Sequence, residues 1–285
     1  MNKFAIITNK YKDEKQQLAK NIAAYIEQNG GKCSIHNNVD ESTGEYREIP
    51  HKEIPEGVEC VITIGGDGTL LHAAKDLKSK DVVFIGVNKG TLGFLAEIHQ
   101  DQVEDAMNRL LKNQFHVESR MMLEGEVIRK DEVVFRGNVL NEIVIHRGRD
   151  FSVTTLEVFV NQQMLGRYSA DGMIYSTPTG STAYNLSAGG PVARPDSKMI
   201  IMTPICPHSI GGRSIIFSKK DVLETVIGPA KHPNIEGRTV IFDGDSVFEV
   251  VSGDKIRVQM AVEETKIAKL DDSSFLQAIK DKIGD

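Results

Sequence analysis

The pentapeptide Gly65-Gly66-Asp67-Gly68-Thr69 follows a short apolar run and precedes a helical pattern. Its glycines let the backbone bend tightly and approach a ligand with no Cβ in the way. A helix opening near Thr69 would present unpaired N–H groups that suit phosphate oxygens. Asp67 needs a separate account, because phosphate repels a carboxylate. One role is a general base that takes the proton of a hydroxyl as that hydroxyl attacks phosphorus, worth ~10²–10⁴-fold in rate. The other is an N-cap for the following helix, since Asp is among the best caps. The pentapeptide alone leaves the two even.

A longer constellation spans residues 170–191, ADGMIYSTPTGSTAYNLSAGGP. Thr177, Thr179, Ser181 and Thr182 crowd hydroxyls around Pro178 and Gly180, with apolar Ala183, Leu186 and Ala188 following. The pattern predicts a strand entering a rigid turn that opens a short helix, whose N–H groups would again be free. The plainer account is a decorated turn with Ser/Thr caps. Tyr184 reads equally as a core aromatic, and Asp171, just before Gly172, as a turn residue. Asn141-Glu142 lies within the strand-like run VLNEIVIH. Alternation places Asn141 with Val139 and Ile143 on the apolar face, where an unpartnered amide costs ~1–3 kcal/mol. Either a strand end turns both side chains toward a ligand, or the pair is buried structurally. Phe94, in the glycine-flanked loop NKGTLGFLAEI, would stack on a nucleobase or pack under its own loop. His72, His208, Arg213 and Asp243 carry weaker signals, His72 reading as a surface or interface residue.

The elements that must position these residues fall into two patterns. Over residues 1–115, short apolar runs at 4–7, 60–64 and 82–87, with another strand at 32–36, alternate with helical spacing such as Leu18, Ile22 and Ile26. That alternation predicts an α/β domain with a parallel sheet. Asp13 opens the first helix and Gly30-Gly31 closes it. Residues 38–57 lack periodicity and read as a mobile loop or an excursion. Over 116–270 the period becomes two, in runs such as VTTLEVFV and TVIFDGDSVFEVV, which predicts a mainly antiparallel, sandwich-like β domain. Residues 271–285 return to helical spacing through Phe275, Ala278, Ile279 and Ile283, and are expected to pack back on the first domain.

Composition narrows the function classes. Lys plus Arg number 34 against 40 Asp plus Glu, a net charge of −6, with the charges interspersed. No basic stripe argues for nucleic acid or a membrane surface, so any anionic ligand must be gripped locally. No stretch approaches a membrane span or a signal sequence. Cys33, Cys60 and Cys206 stand far apart with no metal spacing, which fits a reducing, cytoplasmic setting.

Taken in order, GGDGTLL at 65–71, LGFLAEI at 92–98, LNEIVIHRG at 140–148, the 171–191 segment and TPICPHS at 203–209 resemble the NAD kinase family across both domains. The resemblance implies transfer of the γ-phosphoryl group of ATP to the 2′-hydroxyl of the adenosine ribose of NAD, giving NADP. It implies Asp67 as the base, and Gly66, Gly68 and Thr69 against the phosphates. Asn141 and Glu142 would meet the ribose and adenine side, with Asp67 and Gly68 beside them, and Phe94 would lie against an adenine. Asp171 would hold the nicotinamide end, and Thr182, Ala183, Tyr184 and Ser187 would line the NAD pocket. Mg²⁺ would travel with the donor phosphates rather than in a protein cage, and the assembly would be a homodimer or homotetramer. Thr91 stands where many members have Arg, Ser214 where many have Pro, and Asp245 where a polar residue such as Gln is common. Two further readings of the residues are a GGDGT kinase with a lipid or sugar acceptor, and a dinucleotide-binding regulator without catalysis.

Overall fold

The computed structural model describes residues 1–9, 13–40, 42–43, 45–77, 81–89, 93–96, 98–148, 153–208, 212–229, 237–270 and 274–283, with Glu14, Ser274 and 281–283 described by backbone alone. Thr91 therefore lies outside the described residues. The chain forms two compact units, Met1–Ser119 with Thr265–Asp285, and Arg120–Glu264.

The first unit runs β1 (Lys3–Thr8), α1 (Gln17–Gln28), β2 (Lys32–Asn37), β3 (Cys60–Ile64), α2 (Asp67–Asp76), β4 (Val83–Asn88), β5 (Ile98–His99) and α3 (Val103–Leu111). The sheet order β4-β3-β1-β2 is parallel throughout, and β5 adds to β4. β3 lies on one side of β1 and β2 on the other, so the order reverses beside the carboxyl end of β3, where such sheets place ligands. α1 buries Ala19, Ile22, Ala23 and Ile26, and α3 buries Val103, Ala106, Met107 and Leu110, both into a cluster with Phe4, Ile6 and Ile62. These are helical stripes at the expected spacing. Asp13 does open α1: its buried carboxylate accepts the N–H groups of Leu18 and Ala19 at 3.1 and 3.0 Å.

The described residues of the 38–57 segment form an excursion that docks on α2 through Tyr46 and Ile49. Tyr46 stacks on His72 with ring centroids 3.8 Å apart, its hydroxyl donates to Asp76, and the Ile49 N–H donates to the same carboxylate at 2.9 Å. Val39, Ile49 and Ile54 are buried. The segment lacks periodicity because single side chains hold it, not a repeating face.

The second unit holds the remainder of β6 (His116–Arg129), then β7 (Glu132–Val139), β8 (Glu142–His146), β9 (Thr154–Val160), β10 (Gln163–Ala170), β11 (Gly172–Ser176), the short α4 (Tyr184–Ser187), β12 (Met199–Ile205), β13 (Ile215–Ser218), β14 (Leu223–Ile227), β15 (Arg238–Phe242), β16 (Ser246–Val250) and most of β17 (Lys255–Lys269). One antiparallel run is β10-β9-β14-β17; the other sheet is β13-β12-β11-β8-β15-β16. Leu156, Val158, Leu223 and Ile256 of the first meet Ile143, Ile145, Met173, Tyr175 and Val240 of the second in one buried cluster. That is the expected sandwich. The Tyr175 and Thr225 hydroxyls share a hydrogen bond between the two faces. The end of β17 pairs with β4 in the first unit, Lys266 opposite Val83 and Ile267 opposite Phe84, and α5 (Ser274–Ile283) follows there.

Candidate active site

In the first unit the site begins where β3 ends. Gly65 donates its N–H to the Val87 carbonyl, and a Cβ there would strike the Thr69 side chain, so only glycine lets the turn close on the buried Thr69. The helix starts earlier than the sequence suggests: Gly66 is the N-cap and Asp67 the first helical residue. The N-cap role for Asp67 fails, because its carboxylate bonds no N–H of its own helix. It reaches instead across 27 residues of sequence. Oδ2 accepts the Phe94 N–H at 2.9 Å, and Oδ1 accepts those of Leu95 and Ala96 at 3.1 and 3.0 Å. Gly93 makes this possible, since a Cβ there would lie 2.6 Å from the Asp67 Cγ. A Cβ on Gly68, by contrast, would meet nothing within 4 Å. Phe94 is half-buried and is tied to Asp67 through its backbone.

In the second unit, the run VLNEIVIH is not one strand. β7 ends at Val139 and β8 begins at Glu142, so Asn141 leaves the apolar face that alternation assigned to it. The cause is Asp243, whose carboxylate accepts the N–H groups of Leu140, Asn141 and Glu142 at 2.7, 2.9 and 3.1 Å. On the other side, Thr177 Oγ1 donates to the Leu140 carbonyl at 2.5 Å and the Thr177 N–H to the Asn141 carbonyl at 2.9 Å. Asn141 and Glu142 are both buried, and Glu142 Oε2 has no hydrogen-bond partner among the described residues. Burial, and then the Asp243 carboxylate, push the Glu142 carboxyl up to about 8. Burial likewise pushes Asp243 up to about 6, against the opposing pull of its three N–H partners.

The hydroxyl-rich turn turns inward. Besides the Thr177 bond, Ser181 Oγ donates to the Pro178 carbonyl at 2.6 Å and Thr182 Oγ1 to that of Thr179 at 3.3 Å. Thr179 Oγ1 accepts from the buried Arg120 at 3.3 Å. The N–H groups of Gly180, Ser181 and Ala183 are also spent within the turn. These groups therefore fix the turn's shape and are not the row of free donors that their crowding suggests. Gly180 passes so close to Asn141 that a Cβ would lie 2.7 Å from its Cα. Asn185 Nδ2 ties the Ser181 and Pro191 carbonyls, and Thr203 donates to its Oδ1.

Tyr184 is 40% exposed, so it is no core aromatic. Its phenol is raised by burial of part of the ring and then by the charges of Cys206, Asp171 and Glu142. Asp171 pairs with Arg147 at 3.3 Å, and its backbone joins β8 to β12. Ser187 is exposed, while Thr182 and Ala183 are half-buried. Sequence reasoning passed over Asp243, Thr177 and Arg120 as organisers. The only local signal was the Asp-Gly pair, which marks a hairpin turn but not what its carboxylate holds.

The family model for the ATP-NAD kinase N-terminal domain matches residues 4–115, and that for the C-terminal domain matches 140–270. The NAD kinase of Lachnoclostridium phytofermentans is 40% identical over 289 residues, covering 100% of both chains. The chain belongs to the NAD kinase family. The NAD kinase of Lachnospira eligens is 38% identical across 99% of this chain and all of its own. Among solved structures, yeast NADH kinase complexed with NADH superposes with a TM-score of 0.86 at 23% identity, over 99% of this chain and 88% of that one. The NAD kinase from Archaeoglobus fulgidus in complex with ATP gives 0.76 at 22%, over 96% of each. These two likenesses carry the fold, an α/β unit followed by an antiparallel β unit.

Proposed function

We propose that the chain performs the NAD kinase reaction through Asp67, with ATP as donor and the 2′-hydroxyl of the adenosine ribose of NAD as acceptor. Asp67 takes the hydroxyl proton while the 2′-oxygen bonds to the γ-phosphorus. The bond from that phosphorus to the β–γ bridging oxygen breaks, leaving ADP and NADP. The observation that carries this reading is the set of N–H groups from residues 94–96 on the Asp67 carboxylate. Two bonds occupy Oδ1 but only one occupies Oδ2, so Oδ2 keeps a lone pair for the proton. A base held this firmly is already oriented when the substrate arrives.

On the same reading Gly66, Gly68 and Thr69 border the phosphates, the open space over Gly68 leaving room for them. Phe94 lies against an adenine. Asn141 and Glu142 meet the ribose, where the unpartnered Glu142 oxygen suits a hydroxyl. Asp171 takes the nicotinamide end, and Thr182, Ala183, Tyr184 and Ser187 line the NAD pocket. Among the described residues no three His, Cys, Asp or Glu side chains are grouped to hold a metal ion. On this reading Mg²⁺ enters with the donor phosphates, keeping several of its waters, and no step is assigned to it. A homodimer or homotetramer in the cytoplasm completes the proposal; no described helix is long and apolar enough to cross a membrane.

An assay coupling NADP to an NADP-specific dehydrogenase tests the chemistry. Wild-type protein with ATP, Mg²⁺ and NAD should form NADP. Asp67→Asn should lower kcat by ~10²–10⁴-fold while calorimetric NAD affinity stays within a few fold. Wild-type protein that forms no NADP with any phosphoryl donor, or an Asp67→Asn variant with near-normal kcat, would overturn it.

A further inference from the structure

Asp243 sits at the tip of the hairpin joining β15 to β16. Asp243 and Gly244 both have left-handed φ, at 48° and 81°, and the Asp245 N–H closes the turn on the Phe242 carbonyl at 3.3 Å. Three residues separate the paired Phe242 and Ser246, and a short Asp followed by Gly tolerates the two successive left-handed positions in that turn. Because β15 pairs with β8, with Phe242 opposite Ile143, the tip is delivered to the point where the chain enters β8. There the Asp243 carboxylate gathers three consecutive N–H groups, and its own N–H returns to the Glu142 carbonyl at 3.1 Å.

Three consecutive N–H groups turned toward one point cannot belong to an extended strand, whose N–H groups alternate in direction. The anion is thus what converts 140–142 from strand to bend. Thr177 completes the grip from the opposite side through the carbonyls of Leu140 and Asn141.

We propose that Asp243 is the positioning residue for NAD recognition by Asn141 and Glu142, holding the 140–142 bend so that both side chains face the dinucleotide, with Thr177 as the second clamp. The inference rests on the NAD-binding role proposed above for Asn141 and Glu142. Asp243 touches no substrate in this scheme; it acts through the backbone it holds. A carboxylate can accept all three N–H groups, whereas an amide of the same shape presents an NH₂ toward at least one of them.

The test is steady-state kinetics on full-length Asp243→Asn, with NAD and ATP varied separately, alongside thermal melting and NAD calorimetry. The expected result is at least a tenfold rise in KM for NAD and a matching loss of calorimetric affinity, with KM for ATP within twofold. A purely structural role would instead lower the melting temperature and the active fraction while leaving both KM values unchanged, and that outcome overturns the proposal. Should Asp243→Asn not fold, Thr177→Val carries the test. It should raise KM for NAD at least threefold with KM for ATP unchanged, and equal changes in both KM values overturn the inference. Wild-type protein that made no NADP would remove the underlying reading, whereas active wild type with a normal KM for NAD in Asp243→Asn removes only the role of Asp243.

Discussion

Replacing Gly93 by Ala puts one methyl group against the Asp67 carboxylate. The new Cβ would sit 1.8 Å from Asp67 Oδ1 and 2.6 Å from its Cγ, against 3.4–4 Å for ordinary contact, so the carboxylate or the loop must retreat by at least about 1 Å. A retreat of that size stretches the bonds from Phe94, Leu95 and Ala96, now 2.9, 3.1 and 3.0 Å, beyond hydrogen-bond range. Misplacing a reacting group by about 1 Å costs ~10²-fold in rate, or ~2.7 kcal/mol of transition-state stabilisation. Gly68→Ala is the companion, because its added Cβ meets nothing within 4 Å. It should leave the melting temperature unchanged and raise KM for the nucleotide substrates by crowding them. Coupled NADP assays on both variants, with melting curves, separate the effects: Gly93→Ala loses kcat, Gly68→Ala loses affinity. A Gly93→Ala enzyme with wild-type kcat would refute the idea that the loop at 93–96 sets the position of the base.

Other outcomes follow from buried groups in the second unit. Glu142 is held protonated up to about 8 in the folded chain, above its ordinary value of 4.5. Its favourable contribution is therefore complete below about pH 4.5 and is lost as the pH rises toward 8, because the unfolded chain ionises first. Glu142→Gln should flatten the fall of melting temperature between those limits; an unchanged pH dependence would count against the shift. Tyr175→Phe leaves the buried Thr225 hydroxyl without its phenol partner between the sheets. It should cost ~1–3 kcal/mol, seen as a lower melting temperature with kcat and KM retained, and a melting temperature equal to wild type would contradict the role given to that bond.

How far the sequence could be read depended on the range of the interactions. The parallel strands were legible because burial on both faces makes them continuous apolar runs, as at Cys60–Ile64, which is buried throughout. The stripes on α1 and α3 were legible for the same local reason. Asp67 stands out in the sequence as a carboxylate in need of an explanation, yet its partners at 94–96 cannot be deduced there, since nothing in either segment encodes the other. The same holds for Asn141-Glu142, whose strand-like alternation is overruled by a carboxylate about a hundred residues later. The hydroxyls at 177–182 read either as free donors or as turn caps, and the structure takes the second. Ser181 and Thr182 each bond a carbonyl three residues back, a local habit of Ser and Thr that composition alone underweights.

The first unit is split in sequence, with Arg120–Glu264 inserted between its two parts. On the ribosome, β1 to β5 emerge early, but Lys266 and Ile267, which pair with the edge of β4, arrive only after the whole inserted unit has been made. At ordinary elongation rates that delay is on the order of ten seconds. Throughout it, the nascent sheet carries an open parallel edge at Val83 and Phe84, a surface prone to pairing with the wrong chain. The inserted β unit can close its own sandwich first and then present the strand that seals the older sheet. The unit that carries Asp67 thus begins to emerge first, yet its sheet can be completed only after the inserted unit has been made.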